Sequence, residues 1–336
     1  MYKFILYPDK TLTKIQQIVK AIERDIELGK LDKDFRLPSI DDFSKQVMVA
    51  RDTIEKAYKI LKQNDYIKSV PGKGYFVLGK KDQRLKVLLI FNKLSSYKKI
   101  IYENLIETLG NNAKVDLQIH HYNPALLEEI IEQVKENYNY YVIMPHFFHD
   151  AEPEHYLKII YKIPVAQLVI LDKALPESQN QFISVYQDFK SDIYNSLNSA
   201  MDLMARYQAL TIVFPEYSNH PIEILEGLEQ YCQEQKKIFG TITSLDNVVL
   251  LTGTAYIVIA EADLAQLIKK SRDMNYRLGK DIGIISFNET VLKELLDITV
   301  ITTDFEEMGR SVAQLMLNRR VLQLKNPFKM IRRSSL

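Results

Sequence analysis

The sequence predicts an α/β protein in two parts, a small head of three helices and a β-hairpin followed by a large body of alternating strands and helices. Three observations carry this. Residues 1–80 show three stretches at helical spacing, then strand, glycine turn and strand. From residue 85 onward, short apolar runs alternate with helical stretches, as the βαβ units of a parallel sheet require. Charge divides at the same point. Residues 1–84 hold 18 basic and 12 acidic side chains and the remainder 26 and 31, so a formal net charge of +1 conceals a head of +6 and a body of −5. All of the head's excess lies in 45–84, the asymmetry expected where one end meets a polyanion such as double-stranded DNA.

The length, 336 residues with 46% hydrophobic and 26% charged content, suits a globular chain of two or three domains. The single cysteine, Cys232, excludes an internal disulfide framework, fits a reducing compartment and reads as a partly buried helix residue. Met1–Pro8 is too short for a signal peptide, and no apolar run is long enough to span a membrane. The expectation is a cytoplasmic protein without a membrane partner.

In the head, Ile15, Ile18, Val19, Ile22 and Ile26 set a helix over 11–29, stopped by Gly29. Ser39 caps a second helix that turns Phe43 and Val47 inward. A third helix over 50–64 buries Ile54, Ala57, Tyr58 and Leu61 and presents Arg51, Asp52, Glu55, Lys56 and Lys59 on its other face. Tyr66–Val70, the turn Pro71-Gly72-Lys73-Gly74 and Tyr75–Leu78 form a hairpin. A helix of this kind fits the major groove with its N-terminal side chains on base edges, while Lys, Arg and helix N-termini hold phosphates. Candidate DNA contacts are therefore Arg36, Ser39, Arg51, Asp52, Thr53, Lys56, Lys68, Gly72 and Lys73.

Leu37-Pro38-Ser39, Val49-Ala50-Arg51-Asp52-Thr53-Ile54 and Pro71-Gly72-Lys73-Gly74-Tyr75-Phe76-Val77 together resemble the GntR family of bacterial regulators, in order and in spacing. The resemblance covers the first 80 residues. It implies a winged helix-turn-helix with Arg51 and Thr53 at the DNA-contacting start of the recognition helix, and Gly72 and Lys73 at the wing tip. Asp41 stands where the family usually has Arg, and Ala50 where it has Ser or Thr; each replaces a phosphate contact or cap. A winged helix can also bind protein, but the basic excess coincides with the motif and favours DNA.

After a charged joint at Gln83-Arg84, strands are expected at 86–91, 115–119, 140–144 and 165–171, with helices at 98–109, 124–137 and 152–161. A second set has helices at 188–207, 222–235 and 263–275 and strands at 209–214, 256–259 and 282–287. These read as two successive doubly wound parallel sheets, which bind ligands beyond the carboxyl ends of their strands.

Ile163–Lys173, Asp281–Asn288, Ile298–Phe305 with Met308-Gly309, and Arg332–Ser335 resemble the sensor domain of LacI-type repressors and type I periplasmic sugar-binding proteins. The resemblance spans 85–336. It implies an N-terminal winged helix-turn-helix (1–80) followed by a two-lobed, doubly wound, periplasmic-binding-protein-like domain (85–336). Lobe one would take about 85–187 plus 304–321 and lobe two 188–303 plus 322–336, with a ligand between them and dimerisation through this domain. The family's usual Asp is Asn288, its Asn-Asp pair is Ala262-Asp263, and its sugar-binding Arg falls near Ile224. A family pocket therefore cannot be copied across.

Strand ends supply the candidate ligand residues instead: Lys93, Ser95 and Tyr97; His146 and Phe147; Asp172; Gln187 and Asp188; Glu216 and Tyr217; Glu261; Asn288; and Asp304. Aromatic planes with carboxylates and amides suit a polyhydroxylated ligand, and the LacI-type resemblance implies a monosaccharide. For any one of them a loop cap or solvated side chain is an equal reading. His120-His121 and His146/His149 lack diagnostic metal spacing, and no nucleotide fingerprint or hydrolase elbow is present. The expectation is a homodimeric, sugar-responsive regulator without cofactor, metal or catalysis. The alternative is a sugar-processing enzyme carrying a DNA-binding tail.

Overall fold

A computed structural model describes residues 12–79, 84–134, 138–148, 150–175, 182–215 and 220–336. The chain divides into two compact units, 1–83 and 84–336.

The first unit runs α1 (Lys14–Glu27), α2 (Ile40–Val47), α3 (Arg51–Gln63), β1 (Ile67–Val70), β2 (Gly74–Val77). Thr13 and Gln16 close a capping box on α1, which fixes its start. Ser39 caps α2 through the Asp42 N–H, and Met48, in the left-handed region at φ 51°, ends it. The helices meet over Ile18, Ile22, Ile26, Phe43, Ile54 and Leu61, all fully buried. Tyr58 joins this core and sends its hydroxyl to the Pro38 carbonyl at 2.9 Å, locking α3 to the start of α2. β1 and β2 pair antiparallel from Ile67↔Val77 to Val70↔Gly74. Gly72 and Gly74 take φ of +71° and +103° at the tip, a path open to glycine at little cost.

In the second unit the chain runs β3 (Leu85–Phe91), α4 (Ser96–Leu109), β4 (Ala113–Ile119), α5 (Pro124–Gln133), β5 (Tyr140–Ile143), α6 (Pro153–Ile160), β6 (Leu168–Lys173), β7 (Ile183–Gln187). It continues α7 (Phe189–Asn198), α8 (Met201–Met204), β8 (Ala209–Val213), α9 (Glu223–Glu234), β9 (Ile238–Ile242), β10 (Thr254–Val258), α10 (Glu261–Asp273), β11 (Gly283–Phe287), α11 (Val291–Leu295), β12 (Thr299–Thr303). It closes with α12 (Phe305–Leu317), β13 (Gln323–Lys325) and β14 (Phe328–Ile331). Two six-stranded sheets result, β4-β3-β5-β6-β7-β13 and β9-β8-β10-β11-β12-β14. The first is wholly parallel, and the second is parallel except for β14.

The chain passes between the lobes three times: after Gln187, after Thr303, and at Asn326-Pro327. β13 pairs with β7, so residues 323–325 lie in the first sheet and the last passage falls later than the sequence suggests. Three further details differ from expectation. β7 and β9 are strands in their own right, the 188–207 helix breaks at Ser199-Ala200, and Val165–Gln167 is a 3-10 turn.

One glycine in each lobe lets two helices touch. A Cβ on Gly227 of α9 would meet the Lys190 carbonyl of α7 at 2.5 Å, and one on Gly309 of α12 the Ile101 carbonyl of α4 at 2.5 Å.

Candidate functional site

In the first unit, Arg51 opens α3 with its side chain 67% exposed, and Ala50 offers no side-chain cap. Asp41 lies 3.1 Å from the Arg51 guanidinium, so the residue that departs from the common pattern engages the candidate DNA-contacting arginine. Asp52 pairs with Lys56 at 2.7 Å along the same helix, and Thr53 is half-buried behind them. Ser39 is occupied by its cap, donating to Asp42 Oδ2 at 2.6 Å. Lys68 donates to Asp34 at 2.7 Å, and the Arg36 side chain lies beside Gly74 near the hairpin tip. Nothing approaches a Cβ built on Gly72, and Lys73 beside it is exposed. Exposed cationic groups thus stand at the α3 start, where Arg51 and Lys56 are held by Asp41 and Asp52, and at the hairpin tip, where Lys73 projects.

In the second unit a cavity of about 440 Å³ opens at the carboxyl ends of both sheets. Eight sequence-selected residues line it: Lys93, Ser95, Tyr97, His146, Asp172, Gln187, Glu261 and Asn288. Phe147 instead stacks on Tyr156, ring centroids 4.5 Å apart, as part of the first lobe's core. Asp188 caps α7 through the Ser191 N–H at 3.2 Å, and Asp304 caps α12 through the Glu307 N–H at 2.9 Å. Glu216, Tyr217 and His149 lie outside the described residues. Two other depressions, over α1 and beside the start of α5, contain none of the strand-end residues.

Asp172 organises the first-lobe wall. It is buried, and its backbone takes φ +76°, uncommon for a side chain of any size. Oδ2 accepts from Lys98 Nζ at 2.6 Å and from His146 Nε2 at 2.9 Å, and Oδ1 accepts from Gln187 Nε2 at 2.5 Å. Burial alone would raise its pKa, but the Lys98 charge and the His146 hydrogen bond hold it well below the usual carboxylate range. Burial depresses the His146 pKa, offset in part by Asp172. Asp172 thus accepts from three protein donors, and the Lys98, His146 and Gln187 side chains it holds all line the cavity.

Beside this cluster stands Asn92, at the end of β3, 4% exposed, with no hydrogen-bond partner for Oδ1. Tyr97 stacks on Phe305 at 5.1 Å, and burial raises its phenol to about 12. Opposite, Lys293 is 1% exposed and donates to the Phe287 and Asn288 carbonyls at 2.6 and 2.9 Å. That clamp holds Asn288 in its left-handed turn, φ +63°, at the cavity.

The sequence reading passed over Asn92, Lys98, Tyr122, Phe189, His220 and Phe287, and treated Ile224 only as a missing arginine; all line the cavity. Asn92 had a signal, as the first residue past an apolar strand. Lys98 had none, since lysine in a helix reads as solvated. Among the described residues, no group of three or more His, Cys, Asp or Glu is placed to hold a metal, and no helix is long and apolar enough to cross a membrane. Among the described residues the cavity is lined by several fixed donors, the Glu261 carboxylate and aromatic faces, a composition suited to a small polar molecule.

These features define a winged helix-turn-helix joined in sequence to a two-lobed, periplasmic-binding-protein-like fold. Residues 14–77 match the family of bacterial regulatory proteins named gntR. The chain is 30% identical over 122 residues to the HTH-type transcriptional regulator TreR of Bacillus subtilis (strain 168). That match takes 36% of this chain and 47% of TreR, so the chain spans about half the length of that relative. Among solved structures it resembles the trehalose repressor of Escherichia coli, with TM-score 0.60, 15% identity, 75% of this chain and 100% of that one. It also resembles the Lac repressor bound to ONPG, with TM-score 0.59, 15% identity, 84% and 90% covered, and a CelR–cellobiose complex, with TM-score 0.58, 14% identity, 89% and 100% covered. At these identities the structural likeness shows the fold. The chain therefore joins a GntR-type winged helix-turn-helix to the two-lobed fold of LacI-type repressors.

Proposed function

We propose that this chain is a ligand-responsive transcriptional regulator of carbohydrate-utilisation genes. Its first unit binds an operator in double-stranded DNA, and a small molecule, a monosaccharide foremost, binds between the lobes of the second and alters operator affinity. One observation carries the reading most: the two halves pair a gntR-type unit with a strand-end cavity whose polar groups are fixed by the buried Asp172. Arg51, Thr53, Lys56, Gly72 and Lys73 are the proposed DNA contacts. Asn92, Lys98, His146, Gln187 and Asn288 are the proposed ligand contacts, with Asp172 holding three of them in place. DNA half-sites read by a twofold protein are symmetric, which supports a homodimer.

Coupling follows from linkage, because a ligand shifts the DNA equilibrium by its differential affinity for the two lobe arrangements. The relatives are transcription regulators, which supports a sensor rather than a catalyst. The test is a thermal-shift screen of monosaccharides, together with trehalose and cellobiose, followed by operator gel shifts with each hit. A sugar that binds without product and changes operator affinity supports the proposal. Turnover of the sugar favours a sugar-processing enzyme, and binding by a nucleoside or amino acid alone rejects the ligand class.

A further inference from the structure

The amino ends of the first sheet's strands, opposite the cavity, carry a group of exposed cations. Lys86 of β3 and Lys114 of β4 are register partners, and both side chains are exposed. The Met316 carbonyl, in the last turn of α12, accepts from the Tyr140 hydroxyl at 3.2 Å and from the Arg319 N–H at 3.2 Å. Tyr140 is the register partner of Val87, the residue after Lys86. The end of α12 therefore brings exposed Arg319 and Arg320 to the same end of the sheet as the two lysines.

Other cations of this unit stand against acids. Lys162 meets Glu128, Arg277 meets Asp281 and Arg332 meets Asp202. Lys86, Arg319 and Arg320 meet none among the described residues, although residues 85–336 carry 31 acidic side chains against 26 basic. Asp116, two residues along β4 from Lys114, is held by the Tyr138 hydroxyl at 2.8 Å. Arginine at a helix C-terminus suits the helix dipole, which accounts for Arg319 and Arg320 but not for the lysines on the strands.

Like charges gathered on one face repel, and a polyanion relieves them. The chain is tethered to such a polyanion if its first unit holds DNA. Only residues 78–84 separate β2 from β3, and three of them are basic against one acidic. At about 3.5 Å per residue that tether cannot exceed roughly 28 Å.

We propose that Lys86, Lys114, Arg319 and Arg320 form a second DNA-contacting face, which holds phosphates of the duplex that the first unit reads. This rests on the DNA reading of the first unit and adds contacts from the second. Such contacts carry no base information; they raise affinity and steepen its salt dependence. β3 begins in this face and ends at the cavity, where Lys93 follows it. One strand thus runs from the phosphate contacts to the ligand cavity.

The experiment titrates the full chain with a long mixed-sequence DNA duplex over a series of KCl concentrations. Combining Lys86→Gln, Arg319→Gln and Arg320→Gln should lower the slope of log affinity against log salt by about two to three. Combining Lys86→Arg, Arg319→Lys and Arg320→Lys should keep the slope, since a phosphate reads charge. Lys73→Ala in the wing is the reference, and thermal melts check folding. If the glutamine variant does not fold, Arg320→Cys carrying a photocrosslinker replaces it; Cys232 is buried and stays unlabelled. Coupling to the duplex well above that from Lys93→Cys, at the other end of β3, supports the face, and equal coupling overturns it. A slope that falls with Lys73→Ala but not with the glutamine variant overturns the face and leaves the first unit's reading intact, whether the cations are idle or hold an acidic protein. No binding of the duplex by the unaltered chain overturns both.

Discussion

Asp41, in the first turn of α2, holds the guanidinium of Arg51, the first residue of α3, at 3.1 Å. Both side chains are more than half exposed, so the pair is worth little to folding; its effect falls on what Arg51 can reach. Arg51→Ala should weaken operator binding by about 1–3 kcal/mol. Asp41→Ala should tighten binding to unrelated DNA, because the arginine no longer exchanges a carboxylate for a phosphate. Lys73→Ala should lower the salt slope by about one. Gel shifts at several salt concentrations read all three. Unchanged affinity for both Arg51→Ala and Lys73→Ala would remove the assigned DNA face.

Asp172→Ala leaves Lys98 buried without its counter-charge and frees His146 and Gln187. Removing one partner of a buried pair costs about 3–5 kcal/mol, so denaturant melts should show a loss of that size. Ligand binding should fall with it. Asp172→Asn should keep more stability and still impair binding, since it loosens the Lys98 ammonium. The Asp172 pKa is depressed in the fold. Its contribution is therefore complete above the ordinary carboxylate range and declines as pH falls below it. Full stability in Asp172→Ala would show that the pair is not under load.

His120, fully buried, donates Nε2–H to the Met144 carbonyl at 3.0 Å, and burial lowers its pKa from 6.5 to about 4. A histidine kept neutral in the fold and protonated in the unfolded chain favours unfolding as pH drops through 6.5. From pH 7 to pH 5 this amounts to about 2 kcal/mol. His146 acts in the same direction. His120→Gln should flatten the pH profile of thermal unfolding over that window, and an unaltered profile would contradict the assignment.

Asn326 lies at the third passage between the lobes and joins the other two. Its backbone N–H donates to the Tyr186 carbonyl at 2.7 Å, and Nδ2 donates to Thr303 Oγ1 at 2.8 Å and to the Asp304 carbonyl at 2.9 Å. Lys325, one residue earlier, reaches Asp192 at 2.9 Å. Asn326→Ala should cost about 1–3 kcal/mol through the acceptors left unpaired. It should also reduce the change in operator affinity produced by a bound effector, with effector affinity itself less affected. Parallel titrations of effector and operator separate the two.

Gly309→Ala should destabilise the second unit by about 1–3 kcal/mol, because the Ile101 carbonyl of α4 must move to admit the methyl. Chemical denaturation measures it, and a neutral result would mean that α4 and α12 slide apart freely.

Much of this architecture is legible in local signals. Ser39, Gly72 and the Ile54–Leu61 periodicity place α2, α3 and the hairpin within a residue or two, because caps and turns are short-range devices. β9 escapes notice since Ile238-Phe239-Gly240-Thr241-Ile242 is a half-exposed edge strand without an apolar run. The strand-end rule brings Asp172, His146, Gln187 and Asn288 to one cavity. It fails for Phe147, whose ring packs on Tyr156, and for Asp188 and Asp304, which serve as helix caps. Lys98 and Ile224 owe their positions to helices arriving from elsewhere in the chain, and no local pattern encodes that.

The placement of α12 has a consequence for synthesis. Met308, Val312, Ala313, Leu315 and Met316 complete the first lobe's core against Ile101, Leu105 and Val142. The rest of that lobe's core has been translated by residue 187, and α12 begins at residue 305. At about 5–20 residues per second, the nascent lobe waits roughly 6 to 24 seconds with one apolar face uncovered. During that interval five of the second lobe's six strands are made in one unbroken stretch. Both lobes of the second unit are thus completed by late segments, the first by α12 and the second by β14 and Leu336. The head has no such interval, since its own core is complete at Val77.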